Sequence, residues 1–109
     1  KKKNILLTFG VSKFTIMIIS FGSKETQMIY NGSRVMSLPF EMQKIARRKL
    51  RMLNSSQNLA DLKIPPSNRL EKLSGDLKSY YSIRINKQWR IMFIWKAGFA
   101  SNVTIIDYH

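Results

Sequence analysis

Two hydrophobic periodicities divide the chain. Between residues 39 and 53, Met42, Ile45, Ala46, Leu50 and Leu53 recur at three- and four-residue spacing. That spacing puts them on one side of an α-helix. Pro39 suits its first turn, where a missing N–H costs nothing. Lys44, Arg47, Arg48 and Arg51 fall on the opposite side. Lys49 falls inside the apolar sector, so its stem is expected to run out along the surface to water. From residue 77 onward the pattern becomes strand-like, in runs over 77–85, 89–96 and 102–108. Upstream, Met17-Ile-Ile-Ser-Phe21 reads as a short strand. Ser23 caps a short helix over 24–30, and Asn31-Gly32-Ser33 is turn chemistry. Residues 54–58 read as a loop and 59–62 as one helical turn. Ile64-Pro65-Pro66 cannot continue a helix, since Pro65 pushes Ile64 into extended space. Ser74-Gly75-Asp76 reads as another turn.

Hairpin register decides which residues face the core. A two-residue turn at Asn86-Lys87 sets Ile83 against Arg90 and mixes apolar with basic positions. A three-residue loop, Asn86-Lys87-Gln88, pairs Ile85 with Trp89, Ile83 with Ile91 and Tyr81 with Phe93. Arg84 then meets Arg90 on the other face. The second register separates core from polar face and is the one expected. Two guanidinium groups in direct opposition are destabilising unless an anion lies between them. A phosphate fits, because guanidinium forks match its oxygens. The competing reading is an arginine–carboxylate pair with Asp76 or Asp107.

Charge sharpens this picture. The 109 residues carry a formal net charge of +13. Such a balance favours a polyanionic partner, nucleic acid above all. Removing Lys1, Lys2, Lys3 and Lys13 lowers it only to +9, so the inference does not depend on the N-terminus. The apolar run Ile5-Leu6-Leu7 is too short for a signal peptide or a membrane span. Residues 1–16 therefore read as a dispensable extension, with one domain over 17–109. Cysteine is absent, which removes disulfides and thiolate metal sites. One histidine and six scattered carboxylates offer no metal-ligand cluster, and nothing reads as a phosphate-cradling glycine loop.

The C-terminus carries the sharpest chemistry. Asp107-Tyr108-His109 ends an apolar strand, so a carboxylate, a phenol and the only histidine stop together at one end of a sheet. Strand alternation places Asp107 and His109 on one face and Tyr108 on the other. The bland readings are an exposed terminal His109 and a core-edge Tyr108. For the basic helix face they are a solvated surface, against phosphate tracking or docking of an acidic protein.

Several separate stretches together resemble one family. They are Ile45-Ala-Arg-Arg-Lys-Leu50, Leu62-Lys-Ile-Pro-Pro66, Arg69-Leu-Glu-Lys-Leu73, Gly75-Asp76, Tyr81-Ser-Ile-Arg-Ile-Asn86, Gln88-Trp-Arg-Ile91 and Asp107-Tyr-His109. In this order they look like the HigB-type toxins of the RelE/ParE superfamily, over about Met17 to the C-terminus. The resemblance implies an α+β domain with two helices packed on a small, largely antiparallel sheet, in β-α-α-β-β-β order. It implies a toxin of a type II toxin–antitoxin system that cleaves mRNA in the ribosomal A site, without a metal or other cofactor. It also implies neutralisation by a HigA-type antitoxin in the bacterial cytoplasm, with no membrane. The family's catalytic residues map onto Asp107, Tyr108, His109 and Arg90, with Glu71 a further candidate. Arg84, Arg69, Lys72, Gln88, Arg47, Arg48 and Arg51 are the candidates for holding RNA. Two positions depart from the pattern. Glu71 stands where some members carry histidine, and Ser74 where some carry lysine. The competing functions are a ParE-like toxin acting on gyrase and an inactive toxin that only binds its antitoxin.

In the mechanism these residues suggest, Asp107 or Glu71 takes the ribose 2′-OH proton, through or beside His109. Arg90, Arg84 and Arg69 hold the phosphate. Tyr108 stacks on or orients a base. Gln88 either reads an adenine edge or fills the hairpin loop.

Overall fold

The computed structural model describes residues 17–108. Helix α1 (Lys24–Tyr30) and helix α2 (Phe40–Ser55) precede strands β1 (Glu71–Lys72), β2 (Tyr80–Arg84), β3 (Trp89–Lys96) and β4 (Phe99–Asp107). The sheet order is β1-β2-β3-β4, with every neighbouring pair antiparallel. Short 3-10 turns at Leu59–Lys63, Pro66–Asn68 and Gly75–Leu77 link the helices to the sheet.

Local chemistry sets the helix starts. Ser23 is extended, and its hydroxyl accepts from the Thr26 N–H at 3.1 Å, capping α1. Pro39 occupies the N-cap position of α2, just outside the first turn, with ψ at 131° and no side-chain cap. Met42, Ala46, Leu50 and Leu53 of α2 are buried, with Ile45 half-buried at the margin. They join Ile29 of α1 and Ile83, Ile91 and Phe93 of the sheet in one core. Each fully buried Leu, Ile, Met or Phe among them contributes about 1.5–3 kcal/mol. Lys44, Arg47, Arg48 and Arg51 face solvent, as the periodicity predicts.

The three-residue hairpin loop is present. Tyr81 pairs with Phe93, Ile83 with Ile91, and Arg84 with Arg90. The Ile85 N–H donates to the Trp89 carbonyl at 2.9 Å.

Four expectations need correction. Residues 17–21 form no strand of their own. They make isolated parallel bridges to β4, Ile18 with Ala100 and Phe21 with Val103. The segment divides its hydrogen bonds, because the Asn54 carboxamide oxygen takes the Met17 and Ile18 N–H groups at 3.0 and 2.9 Å. Beside it, Gly22 approaches β4 so closely that a Cβ there would collide with the Thr104 hydroxyl. The run over 77–85 starts pairing only at Tyr80, since Leu77 closes a 3-10 turn onto Ser74. Strand β4 begins at Phe99, three residues before the predicted start. Met92 pairs with Thr104 but Ile94 with Ser101, so Phe93 opposes both Asn102 and Val103 in a β-bulge. Finally, Lys49 does not reach water. It is 7 % exposed, and its ammonium donates to the Asn68 carboxamide oxygen.

Candidate functional site

The sheet has one face under the helices and one face open. Ile83, Ile91 and Phe93 point to the helices, so alternation sends Arg84 and Arg90 to the opposite face. There a pocket of about 310 Å³ opens, lined by Arg69, Arg84, Asn86, Lys87, Arg90 and Tyr108. Four of the six are cations, and no carboxylate lines it.

Arg90 is the anchor, at 5 % exposure. Its Nε donates to the Ser82 hydroxyl at 2.7 Å. One terminal nitrogen, Nη2, donates to the Arg69 carbonyl at 2.6 Å and to the Ser82 carbonyl at 3.3 Å. The same nitrogen stands 3.3 Å from Glu71 Oε1. Burial lowers the pKa of Arg90. Glu71 and Tyr108 oppose that shift, while Arg84 and Arg69 add to it. Arginine starts so far above neutrality that the group stays charged. The competing reading names Asp76 or Asp107 as the carboxylate partner; among the described residues the carboxylate found at Arg90 is Glu71. The reason is topological. β1 pairs with β2 so that Glu71 lies opposite Ser82, the residue that also holds Arg90.

Tyr108 follows the end of β4 and lies on the same side as Arg90. The Arg90 guanidinium carbon sits 5.3 Å from the centre of the Tyr108 ring, a cation–π contact. The phenol is 3.4 Å from Glu71 Oε2. Its backbone N–H donates to the Gln88 carbonyl at 2.6 Å, which ties the C-terminus to the hairpin loop.

The candidates from sequence divide accordingly. Arg69, Arg84, Arg90 and Tyr108 meet at the pocket, and Glu71 stands outside its lining, ion-paired with Arg90. Asp107 pairs with Trp89 and so belongs to the other strand face, and the Gln88 carboxamide donates to it at 3.2 Å. Gln88 is a brace between loop and C-terminus and does not line the pocket. Lys72 is turned to the Lys78 carbonyl at 2.6 Å and to the Tyr81 ring. Arg47, Arg48 and Arg51 lie on the outer side of α2 and line no part of the pocket; Arg51 instead covers the Tyr30 ring at 5.4 Å. His109 lies outside the described residues.

Sequence reasoning missed Asn86, Lys87 and Ser82. Asn86 was legible only as a turn residue. Its carboxamide oxygen takes the Gln88 and Trp89 N–H groups at 2.8 and 2.9 Å, which shapes the loop that presents Lys87. Ser82 carries no sequence signal, because its role depends on strand pairing. Among the described residues, no group of three or more His, Cys, Asp or Glu side chains could hold a metal.

Chemically, four cations around an open pocket can hold an anion. Fixed guanidinium groups match phosphate oxygens, and an exposed aromatic ring beside them offers a stacking surface for a base.

The family described as RelE-like toxin of type II toxin-antitoxin system HigB matches residues 19–109. The chain is 40% identical over 94 residues to Toxin HigB-1 of Vibrio cholerae serotype O1, covering 85% of this chain and 98% of that protein. It is 36% identical over 78 residues to an uncharacterized protein of Haemophilus influenzae, covering 72% and 76%. Among solved structures, a chain of the YoeB-YefM complex from Staphylococcus aureus superposes with a TM-score of 0.54. That match has 20% identity and covers 87% of this chain and 98% of the other. At that identity the likeness concerns the fold alone, here two helices against a four-stranded antiparallel sheet.

Proposed function

The chain belongs to the RelE-like HigB toxins of type II toxin–antitoxin systems, and from that premise we propose that it is a ribosome-dependent endoribonuclease that cuts mRNA in the A site. One observation carries the reading. Arg69, Arg84, Lys87 and Arg90 converge on a single pocket beside an exposed Tyr108, with no carboxylate in its lining.

Cleavage without a metal proceeds by attack of the ribose 2′-oxygen on the adjacent phosphorus, with loss of the 5′-oxygen of the next nucleotide. The 2′-OH loses a proton, and the departing oxygen gains one. Arg90 and Arg84 stabilise the charge that builds on the phosphate, commonly the larger contribution. Arg90 is suited to this because Ser82 and the Arg69 carbonyl fix it before substrate arrives. Arg69 and Lys87 hold the flanking backbone, and Tyr108 stacks on a base. Glu71 is the carboxylate beside these cations and takes the 2′-OH proton once the phosphate competes for Arg90. His109 supplies the proton to the leaving oxygen, imidazole being the side chain type best suited to proton exchange at physiological pH. Asp107 acts from outside the pocket, holding the C-terminus through Gln88.

The protein partner is a HigA-type antitoxin. The outer face of α2, with Arg47, Arg48 and Arg51 exposed, offers it a basic docking surface. The place of action is the bacterial cytoplasm, where translating ribosomes are. No helix among the described residues is long and apolar enough to cross a membrane.

Primer extension on a translated reporter mRNA tests the reading. Wild type should give codon-phased cuts. Arg90→Met should lower cutting by about 10²–10³, and Glu71→Gln or removal of His109 by about 10²–10⁴ each. Asp107→Ala should cost less than either. Absence of cuts from a folded wild type would sink the nuclease reading and favour a gyrase-directed or inactive toxin.

A further inference from the structure

Lys49 and Asn68 form a buried polar pair that the proposed chemistry does not use. Lys49 projects from α2 into the apolar sector, and Asn68 is fully buried at the end of the Pro66–Asn68 turn. The Lys49 ammonium donates to the Asn68 carboxamide oxygen. The Asn68 amide group donates to the Leu62 carbonyl at 3.0 Å and the Ile64 carbonyl at 3.4 Å, and lies 3.3 Å from the Met52 sulfur. Every polar atom of that carboxamide is therefore committed.

The next residue is Arg69, in the left-handed region at φ 45° and ψ 56°. In this conformation its carbonyl accepts from Arg90 while its side chain lines the pocket. A non-glycine residue there costs roughly 1–2 kcal/mol and persists only where neighbours over-determine it. The Arg69 N–H donates to the Pro66 carbonyl at 3.0 Å, and the residue leading into it, Asn68, is held by Lys49.

We propose that Lys49 and Asn68 are positioning residues, which lock the backbone at Arg69 and through its carbonyl aim the Arg90 guanidinium at substrate phosphate. The role rests on the pocket being the RNA site, but the link itself can be read without RNA. A buried lysine inside an apolar helix face is otherwise unfavourable, and leucine or methionine would pack there at lower cost. Its placement is explained if it maintains the site.

The test uses the full chain carrying Lys49→Met, with Asn68→Ser as a second variant should the first not fold. Ile29→Val serves as a control that weakens the core away from this link. The side-chain Nε–H of Arg90, followed by ¹H–¹⁵N NMR, reports its clamp to Ser82. In Lys49→Met its exchange with solvent should rise about tenfold while β3 and β4 amides hold. Affinity for a non-cleavable 2′-O-methyl hexaribonucleotide should fall about five- to tenfold. An Arg90 signal unchanged from wild type, or moved equally by Ile29→Val, overturns the proposal. If wild type fails to bind the free oligonucleotide, the Arg90 signal alone decides the link, and the RNA reading is judged by the primer-extension experiment.

Discussion

A single side chain can be read two ways until its partners are known, and Lys49 is the clearest instance. Its helical position asks for an apolar residue, yet it carries a charge. Periodicity predicted an escape to water; Asn68 supplied a partner inside instead. Burial, with a smaller contribution from Arg48, pulls its pKa below the ordinary 10.5. The folded state therefore binds fewer protons than the unfolded chain between the lowered value and 10.5. Stability from this group rises with pH across that window, and the penalty is fully present below it. Urea unfolding of wild type and Lys49→Met at neutral pH and near pH 10 checks this. Wild type should gain on the variant as pH rises; a gap that stays constant or moves the other way would contradict the burial argument. Glu71 teaches a similar lesson. It was legible as a candidate base and as a departure from the family pattern, but not as the partner of Arg90. Strand pairing, not sequence distance, brought it there.

Among the elements, α1, α2 and the central hairpin were legible because each carries local punctuation as well as periodicity. Ser23, Pro39 and the 86–88 loop mark their limits. β4 was harder. Ala100, Val103 and Ile105 are all buried, a spacing that breaks two-residue alternation. The bulge at Asn102 and Val103 absorbs the extra residue, with Asn102 at φ 50°. Asparagine tolerates this left-handed conformation better than most residues. Asn102→Val should therefore destabilise the protein by about 1–2 kcal/mol, seen as a lower urea midpoint with an unchanged denaturant slope. No effect would mean that the bulge relaxes without cost. The same bulge sets the phase of the strand end, so it helps decide which side Tyr108 faces.

For the whole molecule, the net charge of +13 favours a polyanionic partner without saying where it would bind. The fold gathers basic residues in two separate places: the pocket on the open sheet face, and the outer side of α2. Single-stranded RNA bound at the pocket should show log affinity falling with log salt at a slope on the order of −3, for four cations. Arg84→Gln should reduce that slope by about 1. Replacing Arg47, Arg48 and Arg51 together with glutamine should leave it nearly unchanged. A large drop from the triple variant would move the RNA path onto the helix. A chain starting at Met17 should keep the full-length urea midpoint, which tests whether residues 1–16 are dispensable; unfolding on truncation would reject that boundary.

The sequence by itself determined the helices, the hairpin register, the basic character and the family, because these rest on local spacing, turn chemistry and motif order. It also brought out Arg69, Arg84, Arg90 and Tyr108, whose types suit phosphate and base. Only the tertiary structure decided that Arg90 is clamped by Ser82, Glu71 and the Arg69 carbonyl. It alone separated Asp107 and the helix arginines from that cluster. Those facts depend on which strands pair, on one extra residue in β4 and on a left-handed backbone at Arg69. Contacts between residues distant in the chain are fixed by packing, and packing leaves no periodic mark in the sequence.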